Sequence, residues 1–214
     1  MTRTTRPRPR LRRVAAAAAA VGLTFALSAC LPDQVGTAAI VGGDRVSEAD
    51  VQSQVRELQH VVPNLDTATA QQGVLRDLIL AKVYDELARK YHVHVTDAEV
   101  ASQLDQIYTQ VQQQARQAHR TPKVYVVQQL AQSSQQAAYV APSHLDDWLH
   151  AQLLAQRIQA KIPDSATASR VFVAANKKLD ITVNPRYGTW NPSKGLQAEV
   201  GGGLSKTQAQ LSSS

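Results

Sequence analysis

Cysteine is almost missing: the 214 residues contain one, Cys30. A single thiol can close no internal disulfide and build no cysteine-based metal cluster, so neither stabilises the fold. Long apolar runs are nearly as scarce. One stretch, Val14 to Ala26, is apolar and alanine-rich but too short to span a bilayer stably, and no second run of membrane-spanning length follows. No phosphate-cradling glycine loop is written, since Gly201-Gly202-Gly203 stands in a C-terminal stretch without apolar periodicity. The adjacent acids Asp85-Glu86 and Asp146-Asp147 point apart on a helix and make poor acid/base couples. Ser143-His144 reads as a cap beside an exposed histidine, with no nucleophile elbow around it. The close pair in His92-Val93-His94 lies at a predicted helix end, where histidine meets the C-terminal dipole, and a metal there needs a third ligand. No catalytic residue, metal or cofactor is expected, and the chain is not expected to be an enzyme.

What is present at the N-terminus accounts for the formal net charge of +6. Arg3, Arg6, Arg8, Arg10, Arg12 and Arg13 precede the apolar run, the pattern of an export signal over residues 1–29. The run closes on Leu27-Ser28-Ala29-Cys30, which resembles the lipobox of bacterial lipoprotein precursors: a branched apolar residue, two small ones, then the cysteine that is acylated. That resemblance implies a lipoprotein with fatty acyl chains such as palmitate on Cys30, held on the outer face of the cell membrane. Two acyl chains suffice for stable anchoring where one is marginal. Arg12-Arg13 raises a twin-arginine export route beside the general secretory one. Removing the six arginines from the 23 basic residues leaves 17, against 17 acidic residues, so the basic balance belongs to the signal. Without clustered basic residues on the mature part, nucleic acid is not an expected partner. The chain after the signal is long enough for one domain with a real core.

Along that part, residues 30–37 read as a tether, and Ala38 to Val41 is a brief β-prone run folded back by Gly42-Gly43-Asp44 onto Arg45-Val46. One phrase is then written twice, "VSEADVQSQVREL" from Val46 and "VTDAEVASQLDQI" from Val95. Ser47 and Thr96 are N-cap residues, and Asp50 and Glu99 stand three residues on, where an acid can reach back to the cap amide. Val51, Val55, Leu58 and Val62 recur as Val100, Leu104, Ile107 and Val111, one apolar stripe on each helix. No third copy follows, so the chain is not a solenoid. Between the copies, Asp66 to Tyr91 carries Val74, Leu75, Leu78, Ile79, Val83 and Leu87 on a face broad enough for a central helix. Thr121-Pro122 opens a helix through about Ala138, Pro142-Ser143 opens another that ends near Ile162, and Ser165 to Lys178 supplies a last one. Ile181-Thr182-Val183 alternates as a strand that needs a partner, and Ala38 to Val46 is the expected one, with Tyr187 and Trp190 covering the junction. Residues 191–214 are expected to be a disordered tail. The fold class is mainly α: a single helical domain over 38–190, with about five to six helices, closed by a small antiparallel β element from its N- and C-terminal segments.

The order of hairpin, long helix, second capped helix and terminal strand resembles the N-terminal chaperone domain of SurA-type and PrsA-type exported foldases. "AAIVGGDRVSEADV" and "LRDLILAKVYDELARKYHVHVTDAEV" carry the likeness, "LDDWLHAQLLAQRIQAKI" is similar to the helix that returns to the central one, and "VNPRYGTW" to the ending of SurA-like lipoproteins of high-GC Gram-positive bacteria. In that family the first turn commonly reads Val-Asn-Gly-Glu, where this chain has Val41-Gly42-Gly43-Asp44. The enzymatic members also carry a parvulin prolyl isomerase module of about a hundred residues, and the segment after Pro163 is too short for one. The resemblance therefore implies binding of unfolded, newly exported polypeptides, without isomerase activity.

Tyr125, Tyr139 and Trp148 are the candidate polypeptide-binding residues, beside a stretch from Gln103 to Gln136 with twelve glutamines that can bond extended backbones without selecting for charge. The leading expectation is a lipid-anchored extracytoplasmic chaperone-like protein. The alternatives are a prolyl isomerase-type foldase and a dedicated envelope adaptor with one partner.

Overall fold

The computed structural model describes residues 35–133 and 138–198. The expected export signal (1–29), Cys30, most of the tether, Gln135 and Gln136, and the tail from residue 199 lie outside the described residues.

Strands β1 (Thr37–Val41) and β2 (Asp44–Ser47) form a hairpin with Val41 opposite Asp44. Its two-residue loop puts Gly42 at φ 61° and Gly43 at φ 90°, the doubly left-handed geometry that an Asn-Gly pair also supplies. Gly42 donates its N–H to Leu179 O at 2.6 Å, and a Cβ there would come within 2.7 Å of the Leu179 side chain. The hairpin thus docks on the far end of the chain. Helix α1 (Glu48–Val61) starts directly from β2, α2 (Thr67–Tyr91) is the longest element, and α3 (Asp97–Gln117) and α4 (Pro122–Gln132) follow. After a short 3₁₀ turn at Pro142–His144 come α5 (Leu145–Ala160) and α6 (Ser165–Lys178).

Both copies of the repeated phrase begin helices. Ser47 Oγ accepts from Asp50 N at 3.0 Å, and Thr96 Oγ1 accepts from Glu99 N at 3.3 Å. Only the second closes a reciprocal box, with Glu99 Oε2 accepting from Thr96 N at 2.8 Å. Ser47 lies inside β2, paired with Thr37, and aspartate is a methylene shorter than glutamate, so the first copy keeps half of the motif. The stripes point inward as expected: Val51, Val55, Leu58, Val100 and Leu104 are buried, and Val62, Ile107 and Val111 pack partly against them. The echo is local physics used twice, at the exit from a strand and at the exit from α2.

The ends of α2 and α3 also match. His92 and His119 both adopt a left-handed φ, at 51° and 53°, while Val93 N donates back to Ala88 O and Arg120 N to Ala115 O at 2.9 Å each. These six-to-one bonds close the carbonyl ends of the helices. His92 is thereby a helix terminator, and among the described residues no group of three or more His, Cys, Asp or Glu side chains could hold a metal.

The terminal strand pairs as expected. In β3 (Thr182–Val183), Val183 lies opposite Ala39 and Thr182 opposite Ile40, giving an antiparallel sheet of order β2-β1-β3. Asn184 N extends the pairing to Ala38 O at 2.9 Å. Tyr187 is 2 % exposed over this junction, and Trp190 is half-buried with its indole N–H donated to Asn176 Oδ1 at 3.2 Å. Two expectations are corrected. Helix α4 stops at Gln132, where Ser133 N and Ala138 N both turn back to Leu130 O, so it never reaches Ala138. Residues 191–198, expected in the tail, hold a second hairpin: β4 (Thr189–Asn191) pairs with β5 (Gly195–Gln197), Trp190 opposite Leu196, and Asn191 Oδ1 accepts from Ser193 N and Lys194 N inside the turn.

Chain termination after Asp180 should lower the melting temperature by several degrees and strip hydrogen-exchange protection from Ala39 and Ile40, whereas termination after Ala198 should leave both unchanged; unchanged protection in the shorter chain would contradict the pairing.

A second prediction concerns pH. The Arg157 guanidinium and the Thr96 amide hold the Glu99 carboxyl down to about 2, from 4.5. A carboxyl whose folded pKa is lowered stabilises above its unfolded pKa and loses that contribution as pH falls towards the folded one. Glu99→Gln should therefore flatten the acid limb of urea-unfolding stability between about pH 4.5 and 2 and change little at pH 7.

Candidate functional site

Two helical stripes face each other across a cleft. On α2, Val74, Asp77, Leu78, Ala81 and Tyr84 follow the three- and four-residue spacing of one face. On the opposite side, His144, Asp147, Trp148, Ala151 and Gln152 do the same at the start of α5. Leu80 of α2, Gln54 of α1 and the segment Tyr139-Val140 complete the lining. The cleft measures about 60 Å³ and is open to solvent. One buried water needs roughly 10–15 Å³ on this measure, so the space admits one extended side chain and no folded partner.

Segment 138–141 is pinned into this wall by α2. Tyr139 packs directly on α2 at Gly73, where a Cβ would come within 2.0 Å of its ring. Asp77 Oδ2 accepts Tyr139 N at 3.0 Å, while Asp77 Oδ1 accepts Arg76 Nε at 2.8 Å. Burial pushes the Asp77 carboxyl above its usual range, against the opposing pull of Arg76 and the Tyr139 amide. The same Arg76 guanidinium sits 5.9 Å from the Tyr139 ring centroid. Burial, followed by the nearby Asp77 charge, also raises the Tyr84 phenol, whose ring meets Phe172 of α6 at 6.2 Å.

The polar group without a partner here is Gln54. It occupies a core position between Val51, Val55 and Leu58 and is 4 % exposed, yet its carboxamide makes no hydrogen bond among the described residues. The other buried carboxamide, Asn176, is satisfied on both sides, giving to Phe172 O at 2.8 Å and accepting from Trp190. Among the described residues, the one fully sealed side-chain polar atom without a partner is the Tyr187 hydroxyl. Gln54 is not sealed in that way, so its amide opens on the cleft.

Ser143 and His144 form no nucleophilic pair. Ser143 N donates to Glu57 Oε1 at 2.8 Å and its hydroxyl donates to Glu57 Oε2. The serine proton is thus directed to the carboxylate, leaving the hydroxyl oxygen to accept from His144 Nδ1 at 2.8 Å. The linkage ties α1 to the start of α5.

Of the three candidate residues from the sequence, Tyr139 and Trp148 both line the cleft. Tyr125 lies half-buried on α4 and is not part of its wall. The glutamines of α3 are mostly exposed on its outer face, where Gln106 and Gln110 join Ala98, Ser102 and Asp105 in a shallow surface apart from the cleft. Gln54, Asp77 and Tyr84 were missed. Their signal was a polar or amphipathic residue at an otherwise apolar stripe position, at 54 among 51, 55 and 58, and at 77 and 84 among 74, 78 and 81.

Gly73→Ala should displace Tyr139 and cost about 1–3 kcal/mol as an overpacking change. Asp77→Ala should cost a similar ~1–3 kcal/mol by orphaning the Tyr139 amide, whereas Asp77→Asn, which keeps one acceptor for that amide and loses the Arg76 pair, should cost less than the alanine change in urea unfolding.

Comparison with known proteins gives one family. The model described as SurA-like N-terminal domain matches residues 12–121, about half of the chain. That span includes α1 and α2, hence Gln54, Asp77 and Tyr84, and ends before the α5 side of the cleft. No curated protein and no solved structure gives a match.

Proposed function

The chain belongs to the SurA-like N-terminal domain family, a chaperone-type domain, and on that premise we propose that it is a lipid-anchored chaperone-like protein that holds unfolded exported polypeptides outside the cytoplasm. The observation that carries the reading is the α2–α5 cleft, mostly apolar but edged by Asp77 and Asp147, open to solvent, and floored by an unpartnered carboxamide. Burial of one client side chain at a time gives weak, reversible holding, at about 1.5–3 kcal/mol for a fully buried apolar group. Such binding needs no nucleotide, metal or bond-making step. Tyr139 and Trp148 are the assigned contact residues; Tyr125, away from the cleft, is a contact only for a chain that continues across α4. The anchor is Cys30 and the location the outer face of the cell membrane, a reading supported by the basic stretch, the short apolar run and the Leu-Ser-Ala-Cys sequence.

A photo-crosslinking residue at Trp148 in living cells tests the holding activity. A spread of unrelated exported proteins is the expected result, and one dominant band would favour the dedicated adaptor instead. Turnover of a proline peptide by the purified protein would establish the isomerase alternative. The anchor is tested separately: Cys30→Ser should abolish labelling by a fatty-acid probe, and persistent labelling would refute the attachment site.

A further inference from the structure

We propose that the cleft selects basic residues in its clients: a lysine or arginine side chain enters with its aliphatic stem along Val74, Leu78 and Ala151 and brings its cationic head to Gln54 and Asp77. The inference rests on the holding activity proposed above and names the chemistry that the same site takes.

The observations are of two independent kinds. The first is the unpartnered Gln54 carboxamide, 4 % exposed at the floor of the cleft. Buried polar groups are nearly always hydrogen-bonded, and one left without a partner within the protein marks a place where a ligand can supply it. A purely apolar side chain fills the walls but leaves the Gln54 oxygen desolvated and unpaired, which penalises binding. The second is charge. Two carboxylates, Asp77 and Asp147, line the cleft, and no lysine or arginine does. Asp77 is already bonded to Arg76 and to the Tyr139 amide, but a carboxylate accepts at about four lone-pair positions, so its two oxygens retain capacity. Asp147 at the exposed rim has no ion-pair partner among the described residues, whereas its neighbour Asp146 faces Lys123 at 3.6 Å. The rim therefore attracts a cation, and the Tyr84 and Trp148 rings beside it suit a cation passing inward.

A long aliphatic stem ending in a charge matches this sequence of environments from apolar wall to polar floor. An acidic side chain meets the unpaired Asp147 carboxylate at the rim and gains nothing from Asp77, whose charge Arg76 already offsets. A neutral stem of the same length, methionine, satisfies the walls alone. Lysine, methionine and glutamate thus form a ranked set.

The test uses the purified full chain and three otherwise identical unfolded peptides of glycine, serine and alanine with one central Lys, Met or Glu. Their competition is read by photo-crosslinking from Gln152, a partly exposed residue of the cleft lining, at low salt. The lysine peptide should bind about tenfold better than the methionine peptide, as a hydrogen bond to a charged group allows, with the glutamate peptide weakest. Gln54→Leu, which keeps the site filled, and Asp147→Asn, at the exposed rim, should each shrink the Lys/Met ratio. Equal or tighter binding of the methionine peptide, or a ratio unmoved by both substitutions, overturns the selectivity and leaves the holding activity standing. Crosslinking of none of the three peptides overturns both.

Discussion

Burial of α2 is the constraint from which the rest of the structure follows. Its 25 residues bury Val74, Leu75, Ile79, Val83 and Leu87 on a face too broad for one neighbour to cover. A helix of that kind is stable only inside a cage, and α1, α5, α6 and the hairpin form it. At about 1.5–3 kcal/mol for each fully buried aliphatic side chain, this burial outweighs every surface ion pair that ties the cage together, including Lys178 with Glu86 and Lys82 with Asp44. The cage must also be closed. Strand β3 satisfies the open edge of β1, Gly42 bonds to Leu179 at the end of α6, and Tyr187 seals the seam. N- and C-terminal parts of the described chain therefore fold as one cooperative body.

The cleft lies where that cage is incomplete. Helices α2 and α5 pack along each other, yet at the cleft Asp77, Tyr84, Asp147 and Trp148 interrupt the aliphatics Val74, Leu78 and Ala151. Tyr139, held down on Gly73 and clamped by Asp77, props the wall open on one side, and the Glu57–Ser143–His144 linkage fixes the other. The gap has about the size of one side chain. Its floor amide comes from α1, so three helices converge on it. A chaperone that must release its clients has use for a site this small, since a larger apolar surface would bind too tightly or self-associate.

Much of the fold was legible in the sequence because it is written in local rules. Caps at Ser47, Thr96 and Thr121 set helix starts, the apolar stripes set faces, and the partnerless strand at Ile181 required a mate that only the first strand could provide. What escaped depends on contacts distant in sequence. Helix α4 stops early because Leu130 O draws in Ala138, and the hairpin at Thr189–Gln197 depends on a cross-strand pair of Trp190 and Leu196 that a short, polar-looking segment conceals. The site was legible only in part for the same reason. Aromatic residues at 139 and 148 drew notice by type, whereas Gln54 matters only through its missing partner, which exists as a fact of the packed structure alone.

Hydrogen exchange on the full chain, with and without a saturating unfolded polypeptide, tests the central claim that the α2–α5 cleft is where clients are held. Added protection is expected at the start of α5, residues 144–152, and in segment 138–141, with α3 unaffected. Protection confined to the glutamine face of α3, with no change around the cleft, would contradict it.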